Sequence, residues 1–133
     1  MDRRLIVAAT LLAPTLVTGV AQASEGKERK KGGGANFVQI PTLTASLLKA
    51  DNRRGVLTVE AGVDTPSPAL RARVASLQPR LRDGYNAYLA RFAAALRPGF
   101  VPDADLLARE LQGLTDRIAG RGCRLLLGTI LIN

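Results

Sequence analysis

The longest amphipathic segment of this chain runs from Pro68 to Arg97 and constrains the fold more than any other part of the sequence. On a helix its large apolar residues recur at steps of three and four and fall into one stripe. They are Leu70, Val74, Leu77, Leu81, Tyr85, Tyr88, Phe92 and Leu96. Pro79 lies inside the run and predicts a kink or a restart of the helix, because proline removes an amide donor and crowds the preceding turn. Such a helix needs a surface to lie on, which the rest of the chain has to supply.

Five arginines flank the stripe and form a candidate interaction surface. Arg71 and Arg82 lie on one flank, and Arg73, Arg80 and Arg91 lie on the other. Their hydrocarbon stems can cover apolar surface while the guanidinium groups stay in water. Either they keep the helix soluble, or they form the seam at which one copy of the chain meets the next. We favour solubilising flanks.

Two strands are predicted before the helix. Residues 36–48 are rich in apolar and β-branched side chains, but the alternation changes phase at Pro41, which predicts a bulge or an edge position. A polar connection ending in Gly55 is typical of a hairpin. Val56–Asp64 then alternates cleanly between apolar and polar residues, as a half-buried strand does.

A second helix and a third strand are predicted after the long helix. Ser67 is the expected N-cap of the first helix, and Asp103 that of the second, which ends at Gly120. The segment Cys123–Asn133 is almost continuously apolar, which predicts a strand that is covered on both faces or central in its sheet. Cys123 is either an inert buried thiol or a reactive or intermolecular one.

The predicted order of elements is β-β-α-α-β, over a single domain of residues 36–133. This order is typical of an α+β fold with a small, mainly antiparallel sheet and both helices packed on one face. The sheet is therefore the surface on which the amphipathic helix lies.

The chain begins with the pattern of an export signal. Met1–Ala23 has a basic start, an apolar run and small residues at Ala21 and Ala23 before Ser24, which predicts a cleavable signal peptide. An uncleaved anchor facing the periplasm from the inner membrane is the alternative, although a span needs about 20 apolar residues. Arg3-Arg4 also suggests a twin-arginine signal. We expect a periplasmic or secreted protein.

Residues 24–35 mix charge with glycine and predict a disordered basic linker. Its basic residues Lys27, Arg29, Lys30 and Lys31 offer the alternative of contact with anionic lipid.

Composition excludes several kinds of catalytic site. The chain contains no His and one Cys, so a Ser-His-Asp triad, a His-ligated metal and an intrachain disulfide are impossible. Glu60 and Asp64 share the polar face of the second strand, either as a carboxylate pair or, as we favour, as solvated charges. We expect no catalytic, cofactor or metal site. The net charge of 19 − 11 = +8 favours acidic partners, but export argues against nucleic acid.

Several segments resemble the periplasmic domain of the flagellar basal-body-associated FliL family. The opening strand FVQIPTLTASL and the strand GVLTVEAGVD are similar in pattern. The most specific is LQPRLRDGYNAYLARF, in which a proline precedes an Arg-Asp pair in an amphipathic helix. The helix DADLLARELQGLTDRIAG and the closing strand LLLGTILIN complete a resemblance that covers about three quarters of the chain.

This resemblance implies a fold like that of stomatin/prohibitin-type domains. It also implies a non-enzymatic protein that oligomerises around the stator units of the flagellar motor and supports torque. Two departures concern function. The family keeps an uncleaved transmembrane helix, and of the acidic and amide positions expected near its closing strand only Asn133 is present here.

Three functions are compatible with these observations. The leading hypothesis is a periplasmic structural or interaction protein of FliL type, which binds the stator or another envelope complex. The second is a soluble module that binds anionic envelope polymer or lipid through its Arg-rich surface. The third is an enzyme built on Asp, Glu, Arg and Tyr, but no spacing in the sequence indicates one.

Overall fold

Three strands and two helices form the domain, of which the computed structural model describes residues 36–133. The elements are β1 (Phe37–Leu48), β2 (Arg54–Asp64), α1 (Pro68–Ala95), α2 (Ala104–Ala119) and β3 (Arg124–Ile132). The sheet is antiparallel in the order β1-β2-β3, and both helices pack on it, α1 against β1 and α2 against β3. The predicted α+β class and element order are confirmed. The predicted signal peptide, with Ala21, Ala23 and Ser24, and the predicted linker lie outside the described residues.

The core lies between the sheet and the two helices. Alternation along β2 buries Leu57, Val59 and Val63 completely, and a fully buried row from each helix covers them. The largest fully buried side chains are those of Tyr85, Ile40, Leu43, Leu57, Leu81, Leu89, Leu107 and Leu111. Burying each of them contributes about 1.5–3 kcal/mol relative to leaving it exposed.

The hydrogen-bonded register of the sheet shifts twice, and both shifts lie opposite Glu60. In β1 the pairing moves from Ile40–Ala61 to Leu43–Val59, so two residues face one. In β3 it moves from Leu127–Ala61 to Ile130–Val59, which again sets two residues against one. The bulge and the edge position predicted from Pro41 are both confirmed, since the register shifts at this residue and β1 is an edge strand. Proline is tolerated at an edge because its missing amide donor costs no hydrogen bond between strands.

The long helix is continuous where the sequence predicted a possible restart. The hydroxyl of Ser67 accepts a bond from the Leu70 amide (3.2 Å), and the helix then runs through Pro79 to Ala95. The prediction that the helix restarts at Pro79 is therefore wrong. The proline is exposed, and fully buried residues on either side of it, Val74 and Leu81, hold both halves of the helix on the domain.

The face that α1 buries is also displaced from the predicted stripe. Val74, Leu81 and Tyr85 are fully buried, as expected, but so are Leu89 and Ala93, which the stripe omitted. Leu70, Leu77, Tyr88, Phe92 and Leu96 are only partly buried. The helix packs against both β1 and α2, so its buried side is wider than a single stripe.

The second helix begins and ends where its caps predict. The Asp103 carboxylate accepts a bond from the Leu106 amide (3.1 Å), and Gly120 follows the last residue with φ 84°. A positive φ suits glycine, which has no Cβ to clash with the backbone.

The third strand is not placed as predicted. It lies at an edge of the sheet, β2 is central, and only one face of β3 is covered. On the other face Leu126 is 39% exposed and Leu131 is 47% exposed. The prediction of a strand covered on both faces was therefore wrong, because an apolar run does not reveal whether its own chain covers the second face.

Candidate functional site

The five arginines of the candidate interaction surface lie along α1. Four of them, Arg73, Arg80, Arg82 and Arg91, are exposed. Spacings of seven and eleven residues place Arg73, Arg80 and Arg91 on one side of the helix, over a length of about 27 Å. They form a sparse line of charge rather than a compact cluster.

The side chain of Arg71 contacts the backbone of β1. It is half-buried, and one guanidinium nitrogen donates to the backbone oxygen of Phe37 (3.5 Å). Two turns further along α1, the Gln78 amide donates to the oxygen of Gln39 (2.8 Å). Side chains of α1 therefore occupy carbonyls on the free edge of β1, where another strand would otherwise pair.

The sheet face opposite the helices carries several exposed apolar side chains. We call Phe37, Val56, Leu126 and Leu131 the outer-face set. Val56 is 43% exposed, and alternation along β2 and β3 directs it and the two leucines away from the helices. Around them lie the exposed or half-buried hydroxyl residues Thr44, Ser46, Thr58 and Thr129.

Phe37 and Leu126 meet across a glycine. Gly62 pairs with Leu126 on β3, and the Phe37 ring occupies the space into which a Cβ at Gly62 would project. With Phe37 in this position a side chain at residue 62 would collide with the ring, so the ring lies close over Gly62. Phe37 and Leu126 therefore flank Gly62 on this face, at the end of the sheet where β1 begins.

An apolar groove lies at the other end of the domain, where the β1–β2 turn meets the α1–α2 connection. Its lining includes Leu48, Leu96, Phe100, Val101 and Ile132, and its volume is about 360 Å³. A second depression of about 450 Å³ adjoins it and shares Leu47, Leu48 and Leu96. Sequence reasoning missed both, because three segments far apart in the chain form them.

The two carboxylates of β2, Glu60 and Asp64, have different surroundings. Both are half-buried in β2. Asp64 pairs across the ladder with Phe37 and Arg124, while Glu60 lies at the double register shift beside Gly128.

Cys123 is a buried thiol directly before β3. It is 6% exposed, which confirms the prediction of burial. Burial raises the pKa of the Cys123 thiol above its ordinary value near 9, and the charge of Arg73 offsets this only in part. A protonated, buried thiol is a poor nucleophile, so the geometry favours the inert interpretation.

A glutamine on α2 fixes the start of β3. The Gln112 side chain donates to the Cys123 carbonyl (3.0 Å) and accepts from the Leu125 amide (2.7 Å). It also donates to the Asp116 carboxylate (2.9 Å). The amide thus satisfies the backbone of β3 on the side that has no neighbouring strand.

Two hydroxyl groups join the helices inside the core. Thr115 donates to the Leu111 carbonyl (2.8 Å), so the Tyr85 hydroxyl at 2.5 Å is the donor to Thr115. Both residues are completely buried. Burial raises the pKa of Tyr85 above its ordinary value of 10.0, although its bond to Thr115 acts in the opposite direction.

Within residues 36–133, no group of three or more His, Cys, Asp or Glu side chains is arranged to hold a metal ion. In the same part of the chain, neither helix combines the length and the hydropathy that a membrane span requires.

Comparison with family models, with curated proteins and with solved structures finds no match to this chain.

Proposed function

We propose that residues 36–133 form a non-enzymatic interaction domain of the cell envelope, which binds an apolar surface of a protein partner with the outer face of its sheet. The outer-face set is the observation that carries this proposal. Two leucines and a valine that are 39–47% exposed share one side of a three-stranded sheet with the Phe37 ring. Apolar side chains exposed together on one face of a sheet are a feature of many protein interfaces.

Composition supports binding rather than catalysis. The chain has no histidine, the side chain that most often acts as a general base, and its single cysteine is buried. The export pattern of the first 23 residues supports a location in the envelope. Because of the resemblance to FliL, the flagellar stator is the first partner to test.

Charge on the outer face tests the proposal directly. The double variant Leu126→Lys/Leu131→Lys places two cations on the exposed face, where they do not disturb the core. We expect recovery of the partner from a crosslinked envelope fraction to fall about tenfold or more. The matched control Ala75→Lys/Ala87→Lys adds the same charge at exposed positions of α1 and retains binding.

Equal recovery with both double variants contradicts the use of this face. Light scattering of the purified protein distinguishes a second copy of the chain from another protein. If the partner is a second copy, the wild type self-associates and the Leu126→Lys/Leu131→Lys variant does not. If the partner is another protein, both have the same mass in solution. If no motor component is recovered and cells without the protein swim normally, the stator is excluded as the partner.

A second candidate function is binding of anionic envelope polymer or lipid by the arginines of α1. The observation in its favour is the line of Arg73, Arg80 and Arg91, all exposed on one side of the helix. We expect binding to phosphatidylglycerol vesicles to weaken steeply between roughly 50 and 200 mM salt, since exposed charges are screened over that range. The triple change to glutamine abolishes it, and salt-independent binding contradicts it.

A further inference from the structure

The groove at the turn end of the domain has fixed walls. Gly99, in the α1–α2 connection, has φ 83°, and a Cβ at this position would lie 3.1 Å from the Cβ of Ala50. This connection therefore packs closely on the β1–β2 turn. The floor between them consists of core-packed side chains, Leu96, Ile130 and Ile132.

The rim of the groove is unusually apolar for an exposed surface. Phe100 is 60% exposed, Val101 is 86% exposed, and Leu48 is 50% exposed, all at the same end of the domain. A volume of about 360 Å³ lies within the range of small-molecule sites, about 300–1,000 Å³. A bound hydrocarbon would remove these side chains from water.

Charge at the groove has one sign. Lys49 and Arg97 line it, Arg54 lines the adjoining depression, and no acidic residue lines either. The Arg97 guanidinium carbon lies 5.9 Å from the centre of the Phe100 ring, so a cation–π contact holds the charge beside the apolar surface. The groove therefore combines a hydrocarbon floor with fixed cations at its border.

We propose that this groove binds the anion of a fatty acid, with its hydrocarbon chain on Leu96, Phe100 and Ile132 and its carboxylate between Lys49 and Arg97. An extended peptide fits the site less well, because its amide groups need partners that a mainly hydrocarbon lining does not offer. The site is also concave, which suits a single chain better than the surface of a bilayer. This assignment does not depend on the outer face of the sheet.

Titration of the full chain with sodium dodecanoate, below the concentration at which it forms micelles, tests the assignment. We expect amide NMR shifts centred on Leu48, Gly99 and Val101. Uncharged 1-dodecanol should bind about tenfold more weakly, because it cannot make the charge-assisted bonds.

Two double variants distinguish the effect of the cations at the groove from the effect of the protein's overall positive charge. Lys49→Gln/Arg97→Gln should weaken dodecanoate binding about tenfold, whereas the matched Arg117→Gln/Arg121→Gln, at exposed positions outside the groove, should leave it unchanged. Phe100→Ser, at an exposed position, should weaken dodecanoate and dodecanol alike. Equal affinity for both ligands, an equal loss in the Arg117/Arg121 variant, shifts centred elsewhere, or binding only to phosphatidylglycerol vesicles would each overturn the proposal.

Discussion

Inside the core, the hydrogen bonds of Tyr85 and Thr115 are not equivalent. Thr115 has its own acceptor in the Leu111 carbonyl, whereas the Tyr85 hydroxyl donates only to Thr115 among the bonds observed. Removing one partner from a buried pair is costly only for the group that is left without a bond. The two residues should therefore respond differently to substitutions that preserve their shape.

Thr115→Val should destabilise the domain more than Tyr85→Phe. The valine leaves the buried Tyr85 hydroxyl without its acceptor, at a cost of about 1–3 kcal/mol, whereas the phenylalanine leaves Thr115 bonded to Leu111 and costs about 1 kcal/mol or less. Urea unfolding of both variants and the wild type measures the difference. An equal or reversed order would show that the direction of the bond is assigned wrongly.

Alkaline pH should destabilise the protein through the same tyrosine. Because burial raises the pKa of Tyr85, the unfolded chain loses this proton first as the pH rises above about 10. The contribution of the buried Tyr85 hydroxyl to the free energy of unfolding is complete below that pH. It is lost as the pH rises towards the higher pKa that Tyr85 has in the folded state. The raised pKa of Cys123 acts in the same direction from about pH 9.

The free energy of unfolding, measured from pH 8 to 11, should therefore fall less steeply in Tyr85→Phe than in the wild type. Parallel curves would contradict this role for the tyrosine.

Among the elements, the two edge strands are protected by side chains of the helices. Arg71 and Gln78 of α1 bond carbonyls of β1, and Gln112 of α2 bonds both the Cys123 carbonyl and the Leu125 amide. The hydrogen bonds of Gln112 are partly buried, whereas that of Gln78 is exposed to solvent. Glutamine side chains therefore protect both edges of the sheet, one of them in contact with water and the other largely shielded from it.

Gln112→Ala should loosen the start of β3. It leaves a part-buried amide and carbonyl without partners, which costs about 1–3 kcal/mol and should speed amide exchange at Leu125. Gln78→Ala is the matched control, because water replaces an exposed bond, and we expect a cost below about 1 kcal/mol. Similar exchange at Leu125 in both variants would argue against the role of Gln112.

At the scale of the whole molecule, the described residues 36–133 enclose one hydrophobic core. Every fully buried large side chain in this region packs against others from the same region. A fragment of residues 36–133 should therefore fold alone, with a free energy of unfolding within about 0.5 kcal/mol of that of residues 24–133. Circular dichroism during urea unfolding measures both. A clearly less stable fragment would show that residues 24–35 contribute contacts to the fold.

Local patterns predicted the elements because each has local causes. Alternation at Leu57, Val59 and Val63 defines β2, and Ser67 and Asp103 cap the helices they precede. These signals depend on neighbours a few residues away, and they are readable without knowledge of the fold.

The features that the sequence could not reveal depend on contacts between residues that are far apart in the chain. Leu89 and Ala93 are buried because α1 also contacts α2, and Gln112 acts on a strand that is 13 residues further along the chain. The groove needs Leu48, Phe100 and Ile132 to meet. None of these relations leaves a periodic signal in the sequence.

The double register shift at Glu60 has a consequence for how β3 finds its place. Leu125, Leu126 and Leu127 are all apolar, as are Ile130, Leu131 and Ile132, so a slip by one residue would exchange one hydrophobic face for another. Hydrophobicity alone therefore does not set the alignment of this strand. Gly128 suits the observed alignment, because a Cβ there would lie 3.3 Å from the Glu60 Cβ and Glu60 would have to shift to make room for it. The close approach of Gly128 to Glu60 thus favours the alignment in which Leu125 faces the core and Leu126 and Leu131 lie on the outer face.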